Sequence, residues 1–69
     1  MKTKIFDEIK YNVYTKKKIN GDFIHPDESV YFVNSVEITG NLEVKQLKCG
    51  GSIYVHSSYI VQERDEVNG

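Results

Sequence analysis

The chain has 69 residues, a single cysteine and a formal net charge of −1. At this length it is one small domain, residues 1–69, whose fold hides only about 60% of the surface its unfolded form exposes. One cysteine excludes an internal disulfide, the near-neutral balance argues against general affinity for nucleic acid, and a partner subunit becomes the expected support for a marginal core.

No apolar run approaches the ~18 residues that a bilayer demands, so no membrane contact is expected. The opening "MKTKIFDEIKYNVY" carries lysines but no apolar signal-peptide core. The expected location is a reducing compartment, the cytoplasm of a bacterium or a phage-infected host. The charge is unevenly placed. Residues 1–18 hold six lysines and two acids, net +4, and residues 19–69 hold three bases and eight acids, net −5. Such a lopsided molecule favours contact with a charged partner or a copy of itself.

Residues 1–13 are expected to form an N-terminal cap, a short helix or a turn. Ile5 and Ile9 are spaced to share a helical face, Asp7 and Glu8 suit the helix dipole, and Thr3 is a candidate cap. Tyr11, Val13 and Tyr14 already favour strand. Asn20-Gly21 is a good tight-turn pair, and "HPDES" reads as a loop around Pro26. From Val30 to Val61 there is no proline, and Val, Ile, Tyr and Phe abound, which predicts strands. Residues 63–69, "ERDEVNG", are expected to be a polar tail.

Within 30–61 the chain falls into blocks: VYFVNS, VEITGN, LEVKQ, LKCGGS, IYVHSS and YIVQER. The first and third positions of every block are apolar: Val30/Phe32, Val36/Ile38, Leu42/Val44, Leu47/Cys49, Ile53/Val55 and Tyr59/Val61. Shifted by 17 residues, the pairs fall on one another, Val30 on Leu47 and Val36 on Ile53. A solenoid demands this, because each residue stacks on its counterpart one rung away. The predicted fold is therefore all-β, a short β-solenoid of two to three rungs behind the N-terminal cap. Corner residues Gly40, Asn41, Gly50 and Gly51 are expected to supply positive φ. An earlier, less regular rung is expected from Asn12 to Ser29, with Val13, Ile19 and Ile24 facing in. The alternative is a small antiparallel meander or barrel, with "ING", "TGN" and "GGS" as hairpin loops. It leaves Asn34 and Ser57 on a buried face without a reason, so the coil is preferred.

The pairs "VEI-TGN-LEV" and "LKC-GGS-IYV" resemble the repeats of bactofilin-type, polymer-forming β-helix proteins, over about residues 30–61. The resemblance implies a right-handed coil that assembles through its rung ends. The present chain is much shorter than that family's members.

Catalytic equipment is sparse. "HSS" at 56–58 offers a base and two hydroxyls, but adjacent residues seldom form a working pair, and no nucleophile elbow or phosphate loop occurs. His25, Cys49 and His56, even with Asp22 or Asp27, match no zinc spacing, and Cys49 is expected to point inward as a small hydrophobe. No catalytic residue, metal or cofactor is therefore assigned. Lys16, Lys17 and Lys18 beside Tyr14 form a candidate basic patch able to hold phosphates and stack bases, or a lysine-guarded strand edge. The expected function is that of a non-enzymatic interaction protein forming a homo-oligomer, in the first instance a dimer, through rung ends or strand edges. Tyr54, Tyr59, Ile60 and Val61 near the last rung are the candidate contacts. The alternative is a phage-type inhibitor or adaptor of the anti-defence, anti-CRISPR kind. Its acidic face, the tail "QERDE" at 62–66 with Asp27, Glu28, Glu37 and Glu43, would dock in a basic groove of a nucleic-acid-targeting protein.

Overall fold

A computed structural model describes residues 2 to 67. Eight strands follow in order: β1 (Thr3–Phe6), β2 (Ile9–Tyr14), β3 (Lys18–Ile19), β4 (Phe23–Phe32), β5 (Val36–Ile38), β6 (Leu42–Cys49), β7 (Ile53–Val55) and β8 (Tyr59–Val67). They form a five-stranded sheet, β1-β2-β4-β6-β8, and a three-stranded sheet, β3-β5-β7. All neighbours are parallel except β1 and β2. The result is a β-solenoid of about three turns, with no helix among the described residues.

Each turn has three sides. Strands β4 and β6 bend and serve two sides each: the first half closes one turn and the second half opens the next. Thus Phe23–His25 lies on Leu42–Val44, and after a register shift Ser29–Phe32 lies on Gln46–Cys49. β8 pairs with β6 in the same bent way.

The stacking of residues 17 apart is observed at every expected pair. Val30 lies beside Leu47 and Phe32 beside Cys49. Val36 lies beside Ile53 and Ile38 beside Val55. Leu42 lies beside Tyr59 and Val44 beside Val61. The middle layer of these columns is fully buried: Val30, Phe32, Ile38, Leu42, Val44, Leu47 and Cys49 have no exposed surface. Burial of side chains this size stabilises by about 1.5–3 kcal/mol each. The Cys49 thiol sits within this layer, near the Asn34 carbonyl at 3.5 Å.

Polar corners are also laddered. At one corner Asp22 Oδ1 accepts from Asn41 N at 2.8 Å, and Asn41 Oδ1 accepts from Ser58 N at 3.0 Å. At another, Ser35 Oγ accepts from Ser52 N at 2.9 Å. At the bend of the long strands Ser29 donates to Gln46, and Gln46 donates to Glu63. Gln46 is thereby satisfied, and no buried side-chain polar atom among the described residues lacks a partner.

Several expectations are corrected. The N-terminal cap is neither a helix nor a lone turn but an antiparallel hairpin of β1 and β2. Its turn residues, Asp7 and Glu8, have φ of 51° and 67°, the left-handed pair that a two-residue hairpin needs. The acids read as helix starters are the turn. Asn20-Gly21 makes a corner between two sheets, with Gly21 at φ 101°. Gly40, Gly50, Gly51 and Asn41 do not have positive φ. The three glycines are needed for closeness instead. A Cβ on Gly50 would lie 2.5 Å from the Val33 carbonyl oxygen, and one on Gly51 would lie 2.9 Å from Ser35 N.

The first turn shows another register. Asn12, not Val13, lies on Val30, a spacing of 18, and Ile24 lies on outward Glu43, a spacing of 19. A slip of one residue turns a side chain to the other face. Tyr14 and Phe23 therefore face in where Val13 and Ile24 were expected, and Ile24 is exposed. Ile19 does pack on the core. Residues 63 to 67, expected as tail, continue β8 along β6, while residues 68 and 69 lie outside the described residues.

Candidate self-association surface

The two ends of the coil are built differently. At the first turn the interior is filled by three rings: Tyr14 and Phe23 are 5.1 Å apart, Phe23 and Phe32 5.4 Å, and Tyr14 and Phe32 5.6 Å. The Tyr14 hydroxyl donates to Glu28, which also meets His25 Nδ1 at 3.4 Å. Burial, then the adjoining carboxylate, pushes the Tyr14 phenol up to about 12. Over the first side β1 pairs with β2 and occupies its edge.

The hairpin then curls over the outer face. Phe6 packs edge-on against Tyr11 at 5.6 Å and Tyr31 at 4.9 Å, with the Lys48 ammonium 4.7 Å above its ring. Tyr11 becomes fully buried there, although it points away from the coil interior. At the tip Asp7 meets Arg64 at 3.2 Å.

The last turn has no such cover. β7 and β8 are terminal strands of their sheets, as β3 and β1 are at the other end, so each carries a row of unpaired backbone groups; the difference lies in the interior above them. The inward residues Ile53, Val55, Val61 and Val67 touch the core but are only half-buried, and Tyr59 is 40% exposed. The Tyr59 hydroxyl donates to Asp65 at 3.2 Å, across the end of the coil. Burial, then Asp65, pushes this phenol also up to about 12. Ser52 and Ser58 are the last members of their corner ladders among the described residues.

The four candidate contact residues all lie on this last turn, but they do not share one face. Tyr59 and Val61 point inward at the open end, on Leu42 and Val44. Tyr54 and Ile60, 64% and 47% exposed, point outward from two different sides. The second half of β8 is charged, with Glu63, Arg64, Asp65 and Glu66 in a row. Such a row guards an edge against pairing. The apolar part of the end is therefore β7 and Tyr59–Val61.

The acids of β8 are largely matched within the molecule. Glu63 meets Lys45 at 3.7 Å and Glu66 meets Lys48 at 2.8 Å. The bond to Lys48 lowers the Glu66 carboxyl below its usual range, and the same contact raises Lys48.

The basic patch does not assemble as expected. Lys16, Lys17 and Lys18 are exposed, but Tyr14 is turned into the coil and its hydroxyl is held by Glu28, so it cannot stack a base beside them. The candidate metal ligands are scattered: His25 meets Glu28, His56 meets Glu37 at 2.6 Å, and Cys49 is buried. Among the described residues no three His, Cys, Asp or Glu side chains cluster as a metal site. No helix of the described residues is long and apolar enough to cross a membrane.

Sequence reasoning missed the outer aromatic group of Phe6, Tyr11 and Tyr31, because it follows from the hairpin curling back. It also missed a groove of about 410 Å³ lined by Lys17, Ser35, Val36, Glu37, Ser52 and Tyr54. The signal for that groove was present, since the 17-residue shift already sets Ser35 under Ser52 and Glu37 under Tyr54. Comparison with protein-family models, curated proteins and solved structures finds no match.

Proposed function

We propose that the protein is a non-enzymatic interaction module that pairs with a second copy of itself, end to end, through the last turn of the coil. The observation that carries this reading is the asymmetry of the ends. The first turn is filled by aromatic rings and edged by β1; the last turn leaves Ile53, Val55, Tyr59 and Val61 half-covered beside unpaired strands. The likeness of residues 30–61 to end-stacking β-helix repeats agrees with it.

The basic N-terminal half and acidic remainder would by charge alone favour head-to-tail stacking. β1 alters that end, because it fills the edge of β2 and offers an antiparallel edge of its own, with β3 as the other open edge, so the parallel stacking of the coil is not continued there. Tail-to-tail contact does not use that end, and it closes on itself as a two-fold dimer. Repulsion between the two β8 strands is reduced because Lys45 and Lys48 already neutralise Glu63 and Glu66. With overall extents of 30 × 22 × 21 Å, no face can bury much. A pair of this size hides at most about 1,200 Å², the low end for specific contacts, so the dimer is concentration-dependent.

Sedimentation velocity over a range of concentrations, at low and high salt, tests this. Apolar end contact persists in high salt, whereas docking through the charged faces dissociates. Replacing both Ile53 and Val55 with Lys gives a monomer, and Ile60→Asp, on an outer face, leaves the dimer. Dissociation by Ile60→Asp alone would move the contact to the outer face, and a monomer at every concentration would remove the proposal.

A further inference from the structure

The groove on the outer face of the three-stranded sheet has a composition that neither the core nor the coil end requires. Tyr54 projects from β7 with 64% of its surface exposed, and its ring lies 4.9 Å from that of His56. Glu37 is its neighbour on β5, one strand away. His56 Nε2 sits 2.6 Å from Glu37 Oε2 and orients the carboxylate, while Oε1 has no hydrogen-bond partner among the described residues. Lys17 lines the same groove, and Ser35 and Ser52 supply hydroxyls at its corner.

Lys17 has no carboxylate partner among the described residues, as is true of every lysine of the N-terminal half. Lys45, Lys48 and Arg64, the bases of the later turns, all meet carboxylates. The groove thus combines an open aromatic face, an oriented carboxylate with acceptor capacity and an unpaired cation at the centre of a three-lysine run.

We propose that this groove binds a nucleotide, with a guanine-type base stacked on Tyr54, the N–H edge of that base donating to Glu37, and the phosphate held by Lys17. The chemistry selects the ligand. An aromatic face stacks any planar base. A carboxylate accepts only, so it suits a base edge with adjacent N–H donors, which guanine has and adenine lacks. Lys17 favours an anion and disfavours an arginine side chain from a protein partner. A neutral sugar would use Tyr54 and leave Lys17 unmatched. The site stands apart from the end-on contact, because Tyr54 points outward from the coil.

Titration of the full-length chain with guanosine monophosphate, adenosine monophosphate and inorganic phosphate, followed by amide chemical shifts, tests the proposal. Guanosine monophosphate is expected to move the amides of Ser35, Glu37, Ser52 and Tyr54, and to bind roughly tenfold more tightly than the adenine nucleotide. Tyr54→Ala weakens both nucleotides about tenfold, since stacking on an aromatic ring is lost. Glu37→Gln removes the preference for guanine, and Lys17→Glu removes the contribution of phosphate. If no groove amide moves at millimolar guanosine monophosphate, the proposal is overturned. It is overturned equally if phosphate alone gives the same shifts, or if Tyr54→Ala binds as the parent does. The titration of the unaltered protein decides the matter even if a variant folds poorly.

Discussion

Gly40→Ala probes how closely the turns approach at a corner. Gly40 N donates to Gly21 O at 2.9 Å, and a Cβ on Gly40 would lie 2.7 Å from both the carbonyl carbon and oxygen of Gly21. Those are backbone atoms, so no side-chain rotation relieves the clash. The same methyl would press on Asp22 Oδ1, which accepts from Asn41 N at 2.8 Å and Nδ2 at 3.2 Å. Forced overpacking costs about 1–3 kcal/mol, and loss of an exposed charge-assisted bond adds about 1 kcal/mol. The expected loss is about 3 kcal/mol, a large part of the stability of a domain this small. Gly21→Ala is the control. It has no atom within 4 Å of its would-be Cβ, but its φ is +101°, so it carries backbone strain alone. That strain is worth about 1 kcal/mol. Urea unfolding followed by circular dichroism, at one fixed protomer concentration because association shifts the midpoint, gives both numbers. If Gly40→Ala costs no more than Gly21→Ala, the close approach of the first two turns is wrong.

Three further outcomes follow from the same contacts. Phe6→Ala removes the ring that seats the hairpin on Tyr11 and Tyr31; a loss of about 2 kcal/mol is expected for this half-buried side chain, with faster amide exchange in β1 and unchanged exchange in β5. Equal exchange in β1 would show that Phe6 does not hold it. Tyr14 and Tyr59 titrate near 12 in the fold against 10.0 unfolded, so the unfolded chain loses these protons first. Stability is then full below pH 10.0, falls as pH rises towards 12, and falls less steeply in Tyr14→Phe, as unfolding midpoints across that range will show. Glu66 moves the opposite way: its carboxyl is lowered from 4.5 by Lys48, so its contribution is present above 4.5 and disappears as pH falls through the lower folded value. Amide exchange in the second half of β8 should rise there in the parent and be indifferent to that step in Lys48→Met.

The coil itself was legible because stacking imposes identical demands on residues one turn apart. Twelve apolar positions recurring with a spacing of 17 fit few architectures besides a wound ribbon, and their pairing is observed. The corner ladders were half legible. Asn41 and Ser58 could be placed at corners by the same shift, but their mutual hydrogen bond depends on how the two turns meet in space. The first turn was misread where the spacing changes. Residues 26 to 28 oppose the single Lys45, and that local insertion widens the spacing to 19 on its N-terminal side while leaving 17 after it, without altering composition. Hydrophobicity pointed to Val13 and Ile24, while register turned Tyr14 and Phe23 inward.

The candidate surfaces divide in the same way. That the last turn carries Tyr and Ile outside the inward pairs follows from the sequence, in Tyr54 and Ile60. Which end is closed does not follow. Closure depends on Asp7 and Glu8 adopting left-handed backbone, which lets β1 fold back on β2 instead of starting a helix. Local sequence settled the repeating interior, because periodic burial is written one residue at a time. Only the tertiary structure decided the ends and the outer groove, because these are made by segments that meet across turns, where spacing and backbone reversal outweigh the character of any single residue.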